Sequence, residues 1–555
     1  MDPVPITGVI RTNAAAHIDA SESATASRRL SLASAVLLVV YGASLLLIGL
    51  GGLVMTYHEV NYSEPAREML RGAGWLMTRF GGQPFVEKPP LINWSIAAEM
   101  ALFHSRAEWV TRLPSVFSAI ASAWVIAAIG ARWFGDRIGL YSGLIELTSM
   151  YVQAQGRRAE PDMMLCALVS AALGIFAFGT IQSAAVRPSR QSLPMIFYAA
   201  AGLSFLPKGP VGPALALMPC VWFALRDRAS RKFLMNPAGI CIFLLVVLAW
   251  PAALYLHYPA GLNSLWAEHT LRLSGAWGTQ NWFFYLYMPL LLMLPWTPLV
   301  LSGAVAAAIE HWWTRPICRL MGLWFVLGTV FLSLSPFKHW HYMVPVLPPL
   351  SILGALGLER FLHAAHPRYA TRMLGIAASL LAIPVVYYFI KPQAGAISVL
   401  VILTAAGLSI ALYLQWRGLS ETAPSTAVFA TVWIVSVAAQ LIVTPRFQSY
   451  LGQTQLARRV NLEVPAGTTL YLLGPPHNQM VFYLTVPVIA AGDSGSLEHR
   501  IDSIGGGRPI YILAPQSAQS TLAQFGAVQT LDRSVSLRAG ETERDRLTLM
   551  KVTQK

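Results

Sequence analysis

Charge is scarce in this chain: Asp, Glu, Lys and Arg make up only 12% of its 555 residues. A soluble globular chain carries about 25%, so a soluble enzyme of this length is excluded. Cysteine is rarer still. Cys166, Cys220, Cys241 and Cys318 all lie in or beside apolar stretches, and none falls in the polar C-terminal portion. Disulfides are therefore not expected to support that portion, and the four read as small apolar thiols of a core. No Gly-x-Gly-x-x-Gly follows a strand-like run, and the Gly505-Gly506-Gly507 stretch has no dinucleotide-binding context. The net charge of +14 has no basic, aromatic-interleaved soluble segment to carry it, so no nucleic-acid partner is expected. Residues 1–27 are polar and rich in Ala, Ser and Thr, without a cleavable leader pattern.

What the chain has in abundance is hydrophobic residues, at 55%. Apolar runs long enough to span a hydrocarbon core recur from Leu30 to Thr444. Arg28 and Arg29 place the N-terminus on the cytoplasmic side, so the first span, 30–55, leads outward. The stretch 91–103 is short and interrupted by Asn93 and Glu99, and reads as re-entrant or interfacial. Later spans are then predicted at 114–131, 137–154, 163–183, 194–206, 210–225, 237–257, 283–307, 317–336, 343–362, 371–391, 396–415 and 425–444. With about 13 spans, every loop assigned to the cytoplasm is basic, whereas counting 91–103 as a span inverts them all. The expected architecture is an all-α polytopic membrane domain over 30–445, after a cytoplasmic tail of 1–29. A small periplasmic α/β domain follows over 446–555. In that last part 469–474, 486–491 and 508–515 read as strands, with helices at 477–485 and 517–526.

The segments left on the far side, notably the large loop 56–112, break the charge bias. They hold Arg67, Arg71, Arg79, Lys88, Arg106, Arg157, Arg158, Lys208, Arg272 and Lys338. Cations beside spans on the translocated face point to an anionic ligand. Lys88, Lys208 and Lys338 each sit in a proline-containing, otherwise apolar stretch. A lysine at a span end ordinarily snorkels on a flexible stem, whereas proline beside it fixes the backbone. In Glu87-Lys88-Pro89-Pro90 the proline steers Lys88 away from helix.

Read in order, the far-side stretches are YHEVNYSEPAREML (57–70), FVEKPPLINW (85–94), GRRAEPDMML (156–165), FLPKGPVGP (205–213), WAEHTLRL (266–273) and SPFKHWHYMVPVLPPL (335–350). This series resembles the polyprenyl-phosphate-sugar-dependent membrane glycosyltransferases of the GT-C type. Within them it is most similar to the lipid A aminoarabinose transferases and the group related to protein O-mannosyltransferases. The resemblance covers about residues 30–350. It implies a monomeric enzyme of the bacterial inner membrane, with its active site and C-terminal domain facing the periplasm. Such an enzyme moves a sugar from an undecaprenyl-type phosphate to an envelope acceptor, with inversion and with no required cofactor. The implied acceptor is a lipid A-type phosphate; a protein or glycan hydroxyl is the alternative within the same fold. The resemblance further implies donor-phosphate binding by Lys88, Arg272 and Lys338. Fixed cations there stabilise the charge that collects on the leaving phosphate. Tyr62, Glu87, Arg158, Lys208 and Tyr342 are the implied substrate-binding residues, and His58, Glu59 and Asp162 the catalytic candidates.

The chain departs from its apparent relatives at one place. Where they carry Asp-Glu followed by Arg-Tyr, it has His58-Glu59 and Asn61-Tyr62. Either His58 or Glu59 accepts a proton, or the acceptor is already an anion and needs little base catalysis; an inactive chain is the third reading. Carboxylate and imidazole also suit a divalent metal, with Glu87 and His269 as candidate ligands. A lipid-linked sugar transporter is the rival from another class. It is disfavoured because no paired inverted repeat is evident and Glu146 is nearly alone as a mid-span acid. The topology is directly testable in a background lacking the native cysteines. Lys88→Cys and Gly495→Cys are expected to react with an impermeant maleimide added outside, and Ala229→Cys is not. Labelling at 229 without labelling at 88 overturns the orientation.

Overall fold

The computed structural model describes residues 29–181, 192–276, 278–363, parts of 403–414, 422–443, 451–473, 479–492, 509–533 and 547–553. The expected span 371–391 lies outside the described residues, as does most of 396–415. Among the described residues, Glu108–Phe134, Asp162–Thr180, Pro237–His257, Pro316–Ser333 and Ala423–Ile442 are each long and apolar enough to cross a bilayer. Two further spans are broken. Phe284–Leu292 meets Thr297–Ile309 at 114°, and Trp340–Val346 meets Pro348–Leu362 at 70°. Both breaks fall at prolines, Pro295 and Pro348, where the missing N–H interrupts the helical ladder. Shorter apolar helices at Leu32–Leu47, Leu193–Lys208 and Val211–Ala224 lie where sequence predicts spans. The stretch 137–154 is likewise broken, into Asp136–Thr148 and Met150–Gln155.

The helices pack as a lipid-embedded bundle should. Leu245, in the helix Pro237–His257, is 70% exposed; such apolar surface is lipid-facing in a polytopic protein. Inside the bundle, small residues let backbones approach. A Cβ on Gly139 would come within 2.5 Å of the Ala127 carbonyl oxygen, so the crossing of Glu108–Phe134 with Asp136–Thr148 requires glycine there. Asp136, at the turn between them, accepts from the Ser31 N–H at 2.7 Å and the Ser34 hydroxyl at 2.7 Å, tying the start of the first helix to this hairpin.

The segment 91–103 forms the helix Leu91–Leu102, entered from Pro90. Ahead of it, Tyr57–Glu68 forms a helix, and β1 (Arg79–Phe80) and β2 (Gln83–Pro84) form a small antiparallel hairpin. The C-terminal part begins with the helix Leu451–Glu463 and holds a five-stranded sheet. Its strands are β3 (Leu470–Leu473), β4 (Val488–Gly492), β5 (Ile510–Pro515), β6 (Ala527–Arg533) and β7 (Leu547–Thr553). They are ordered β4-β3-β5-β7-β6, with β3 parallel to β4 and β5, and β7 antiparallel to β5 and β6. The helix expected at 477–485 is only the short 3-10 turn Gln479–Tyr483.

This sheet is docked on the first loop. Met55, Val60, Ala66, Ile92 and Ile96 share one buried cluster with Leu456, Val460, Leu470, Phe482 and Leu549. Arg67 crosses the junction, donating to the Leu484 carbonyl at 2.7 Å while paired with Glu64 at 2.5 Å. At the inner end of the loop, Arg112 donates to both oxygens of Glu59, at 2.7 and 3.2 Å, with the pair almost wholly buried. Breaking such a pair from one side strands a charge and costs about 3–5 kcal/mol. Arg112→Ala is therefore expected to lower the thermal unfolding midpoint sharply. A midpoint within a degree or two of the parent would show that the pair bears little of the fold.

Candidate active site

The sequence expectation groups residues from six separate stretches, and the structure brings most of them to one cleft. The helix Tyr57–Glu68 begins at Thr56, whose hydroxyl accepts from the Glu59 N–H at 3.3 Å while Glu59 accepts from the Thr56 N–H at 2.9 Å. This reciprocal cap is the Thr-x-x-Glu pattern of the sequence realised. It places His58 on the open side, where the residue keeps part of its surface exposed. Tyr62, one turn on, is held from below by Asn93, whose amide donates to the Tyr62 carbonyl at 2.9 Å. Lys88 reaches over from the Glu87–Pro90 bends, donating to the Tyr62 hydroxyl, with its ammonium 5.0 Å from the ring centre.

Asp162 opens the helix Asp162–Thr180, where a carboxylate suits the positive helix end. It pairs with Lys208, and both side chains are buried. Lys208 ends the short helix Phe205–Lys208, closed by Gly209 at φ 69°, a left-handed turn that glycine makes without strain. Its ammonium also lies 4.4 Å from the Tyr342 ring centre. The loop before Tyr342 contributes a run of imidazoles. His339 and His341 stack at 5.1 Å and 15°, and His341 stands 6.4 Å from the His58 ring. The His339 backbone is fixed by the Tyr285 hydroxyl, which donates to its carbonyl at 3.0 Å. Lys338, the residue before it, is only 5% exposed, and no hydrogen bond or ion pair to it occurs among the described residues.

Electrostatics separates two of the three catalytic candidates. Burial pushes the Glu59 carboxyl up, but Arg112 beside it and its backbone donors outweigh this and hold it below the usual range. With Arg112, the Thr56 N–H and the Ala159 N–H all donating to it, Glu59 is a fully engaged anchor. For His58, burial of its inner face and then Lys88, His339 and Arg158 lower the pKa to about 4, with Asp162 opposing. The imidazole is therefore neutral at ordinary pH. Arg158 lies 3.6 Å from Glu160, a carboxyl that burial raises to about 7 against the pull of Arg158. Glu87 is half-buried at the start of the Pro-Pro turn. The side chains of Arg272 and His269 lie outside the described residues, so neither the phosphate role of the first nor the Glu87–His269 metal pair is placed. Among the described residues no group of three or more His, Cys, Asp or Glu is arranged to hold a metal ion.

Three comparisons bear on this arrangement. Residues 87–258 match the family described as dolichyl-phosphate-mannose-protein mannosyltransferase. The fold is shared, at TM-score 0.78 and 22% identity over 93% of this chain and 97% of the other, with ArnT from Cupriavidus metallidurans bound to undecaprenyl phosphate. The resemblance to GT-C-type membrane glycosyltransferases is thus borne out, and a multi-pass membrane protein with that fold is the class these features define. More narrowly, the chain is similar to the undecaprenyl phosphate-alpha-4-amino-4-deoxy-L-arabinose arabinosyl transferases. It is 27% identical to that of Pectobacterium carotovorum over 61% of each chain. It is 29% identical to that of an Enterobacter species over 54% of each. The chain spans less than two thirds of the length of these relatives.

Arg112, Glu160, His339 and Tyr483 were not singled out from sequence, although each touches the site or its supports. Arg112 alone had a legible signal, as a further arginine of the far-side loop 56–112 at the edge of a span. Glu160 supplies a stability test. Its folded pKa lies above the ordinary 4.5, so the folded state retains a proton that the unfolded chain releases. Its contribution therefore declines as pH rises from about 4.5 to about 7. Glu160→Gln is expected to flatten that part of the stability–pH curve. An unchanged slope in the variant would show that Glu160 is not the group responsible.

Proposed function

We propose that the chain is an inverting glycosyltransferase that takes a sugar from a polyprenyl phosphate and transfers it to an anionic envelope acceptor, a lipid A-type phosphate. The observation that carries this reading is Lys338, a nearly buried cation without a counter-ion among the described residues. Little of the residue reaches solvent and no carboxylate among the described residues answers its charge, so an anionic substrate group is a fitting partner. Lys88, Lys208 and Arg158 gather near His58 and Asp162, with Glu160 as a second acid, and Lys338 adjoins His339, whose ring stacks on His341 there. The donor phosphate then rests on Lys88 and Lys338, with Arg272 as the third cation from the sequence pattern. As the sugar–oxygen bond breaks, negative charge grows on that phosphate. A fixed ammonium stabilises this state more than the bound substrate. Tyr62 and Tyr342, each with a lysine over its ring, line the sugar pocket. Glu87 and Arg158 complete the substrate contacts.

The low pKa of His58 favours an acceptor that is already ionised. An imidazole with a pKa near 4 is a feeble base, and its neutrality where relatives carry aspartate leaves the cleft more positive. In this reading His58 shapes the pocket, Asp162 orients Lys208, and Glu59 holds the loop. The membrane placement that goes with it is about 13 spans in the inner membrane, with the cleft and the C-terminal sheet region facing the periplasm.

The test is mass spectrometry of envelope lipids from cells with and without the protein, followed by transfer assays on the purified enzyme. A sugar-modified lipid dependent on the protein is expected, whereas a transporter leaves no new covalent product. Lys338→Ala is expected to lower transfer by about 10² to 10³, the cost of removing one preorganised donor, while exposed Arg106→Ala remains near the parent. Equal, mild effects at both positions would reduce Lys338 to an interfacial anchor. His58→Ala is expected to stay within about tenfold of the parent. A loss of about 10² to 10⁴, together with disappearance of an acid limb near pH 4, would instead make His58 the base.

A further inference from the structure

The helix that carries His58 and Tyr62 is gripped at both ends by a segment more than four hundred residues away in the chain. At its start, the Tyr483 hydroxyl accepts from the Met55 N–H at 2.9 Å and donates to Glu108 at 3.0 Å. At its far end, Arg67 donates to the carbonyls of Leu484 and Phe482 at 2.7 and 3.3 Å. Tyr483 is itself fixed, because Asn461 donates to its carbonyl at 3.0 Å and accepts from the Thr485 N–H at 2.8 Å. The Tyr483 hydroxyl thus joins three elements at one point: the chain entering the site helix, the first turn of Glu108–Phe134, and the C-terminal region.

One turn beyond Glu108, on the same face of that helix, Arg112 holds Glu59. Glu108 and Arg112 therefore act as two prongs. One secures Met55 through Tyr483, and the other secures the cap at Thr56 and Glu59. His58 lies one residue inside this clamp, and its separation from His341 across the cleft is set by where the clamp places the helix start.

We propose that Tyr483 is a positioning residue for the transfer reaction, its hydroxyl locking the N-terminus of the Tyr57–Glu68 helix so that His58 and Tyr62 face the substrate cleft. The C-terminal region is then part of the catalytic apparatus through this contact. The kinetic side of the inference rests on the glycosyltransferase reading above; the structural side does not.

Tyr483→Phe removes the hydroxyl and keeps the ring. Losing one hydrogen-bonded junction of this kind corresponds to about a tenfold change in a local equilibrium. In the full-length protein, amide hydrogen exchange of a peptide spanning 55–60 is expected to quicken about tenfold, with exchange in 162–180 unchanged. In the transfer assay kcat is expected to fall by a similar factor while KM for the donor stays put. Glu108→Ala, which removes one of the two bonds lost in Tyr483→Phe and leaves the Met55 contact, is expected to give part of both effects, and adding it to Tyr483→Phe to add little. Glu108→Gln keeps an accepting oxygen and is expected to restore most of kcat. Unchanged exchange at 55–60 in both single variants overturns the proposal, as does an increase spread over the whole chain or fully additive losses in the double variant. If the parent protein transfers no sugar at all, the functional reading fails, and the exchange measurement still decides whether the lock exists.

Discussion

Glu59 and Arg112 meet 2.7 Å apart at the point where the first loop leaves the membrane bundle, and the rest of the cleft is referenced to that contact. Arg112 belongs to the span Glu108–Phe134, while Glu59 belongs to the loop helix and also accepts from the Ala159 N–H at 3.1 Å. One carboxylate thereby aligns the segment bearing His58 and Tyr62, the segment bearing Arg158 and Asp162, and the bundle between them. A buried ion pair of this kind adds little net stability over an apolar substitute, but its directional bonds leave few alternative arrangements. Arg112 also donates through Nη1 to the Leu50 carbonyl at 2.6 Å, near the end of the first helix, and so closes the same junction from a further side.

Around this frame the cleft is built with an excess of positive charge. Two of its lysines are stabilised by the protein. Lys208 has Asp162 and the face of Tyr342, and Lys88 has Tyr62. Lys338 has no hydrogen bond or ion pair among the described residues, and its loop is held by Tyr285 and by the Gln280 N–H, which donates to the Pro336 carbonyl at 3.0 Å. A backbone held in this way is what the proposed anion site asks for, because a preorganised charge needs no rearrangement during the reaction. The neutral His58, facing Lys88 and Arg158, adds no competing negative charge to the cleft.

Much of the membrane architecture was legible because hydropathy and proline act locally. The span expected at 237–257 coincides with the observed helix, and the short, interrupted 91–103 is a separate helix entered from Pro90. The breaks at Leu292–Thr297 and Val346–Pro348 were not anticipated, since an apolar run containing proline reads equally well as a kinked helix or as two bent segments. In the C-terminal part, the buried strands β3, β4 and β5 stood out as apolar runs. The edge strand β6, Ala-Val-Gln-Thr-Leu-Asp-Arg, and its neighbour β7 did not, because their polar content and sheet pairing depend on distant partners.

By itself the sequence determined that this is a multi-span protein with cations and prolines concentrated in particular loops, and it named most residues of the cleft: apolar length, charge placement and proline chemistry are properties of short stretches. Only the tertiary structure decided what each of those residues does. His58 and Glu59 are neighbours in the chain, yet one opens onto a cationic cleft and the other is consumed by Arg112, Thr56 and Ala159. Lys208 and Lys338 look alike in sequence, yet one is paired with Asp162 and the other is unpaired among the described residues. Tyr483, with no motif around it, proves to sit at the junction of three elements. Partnership between groups far apart in the chain is set by packing, and the protonation state and role of a polar side chain follow from its partners.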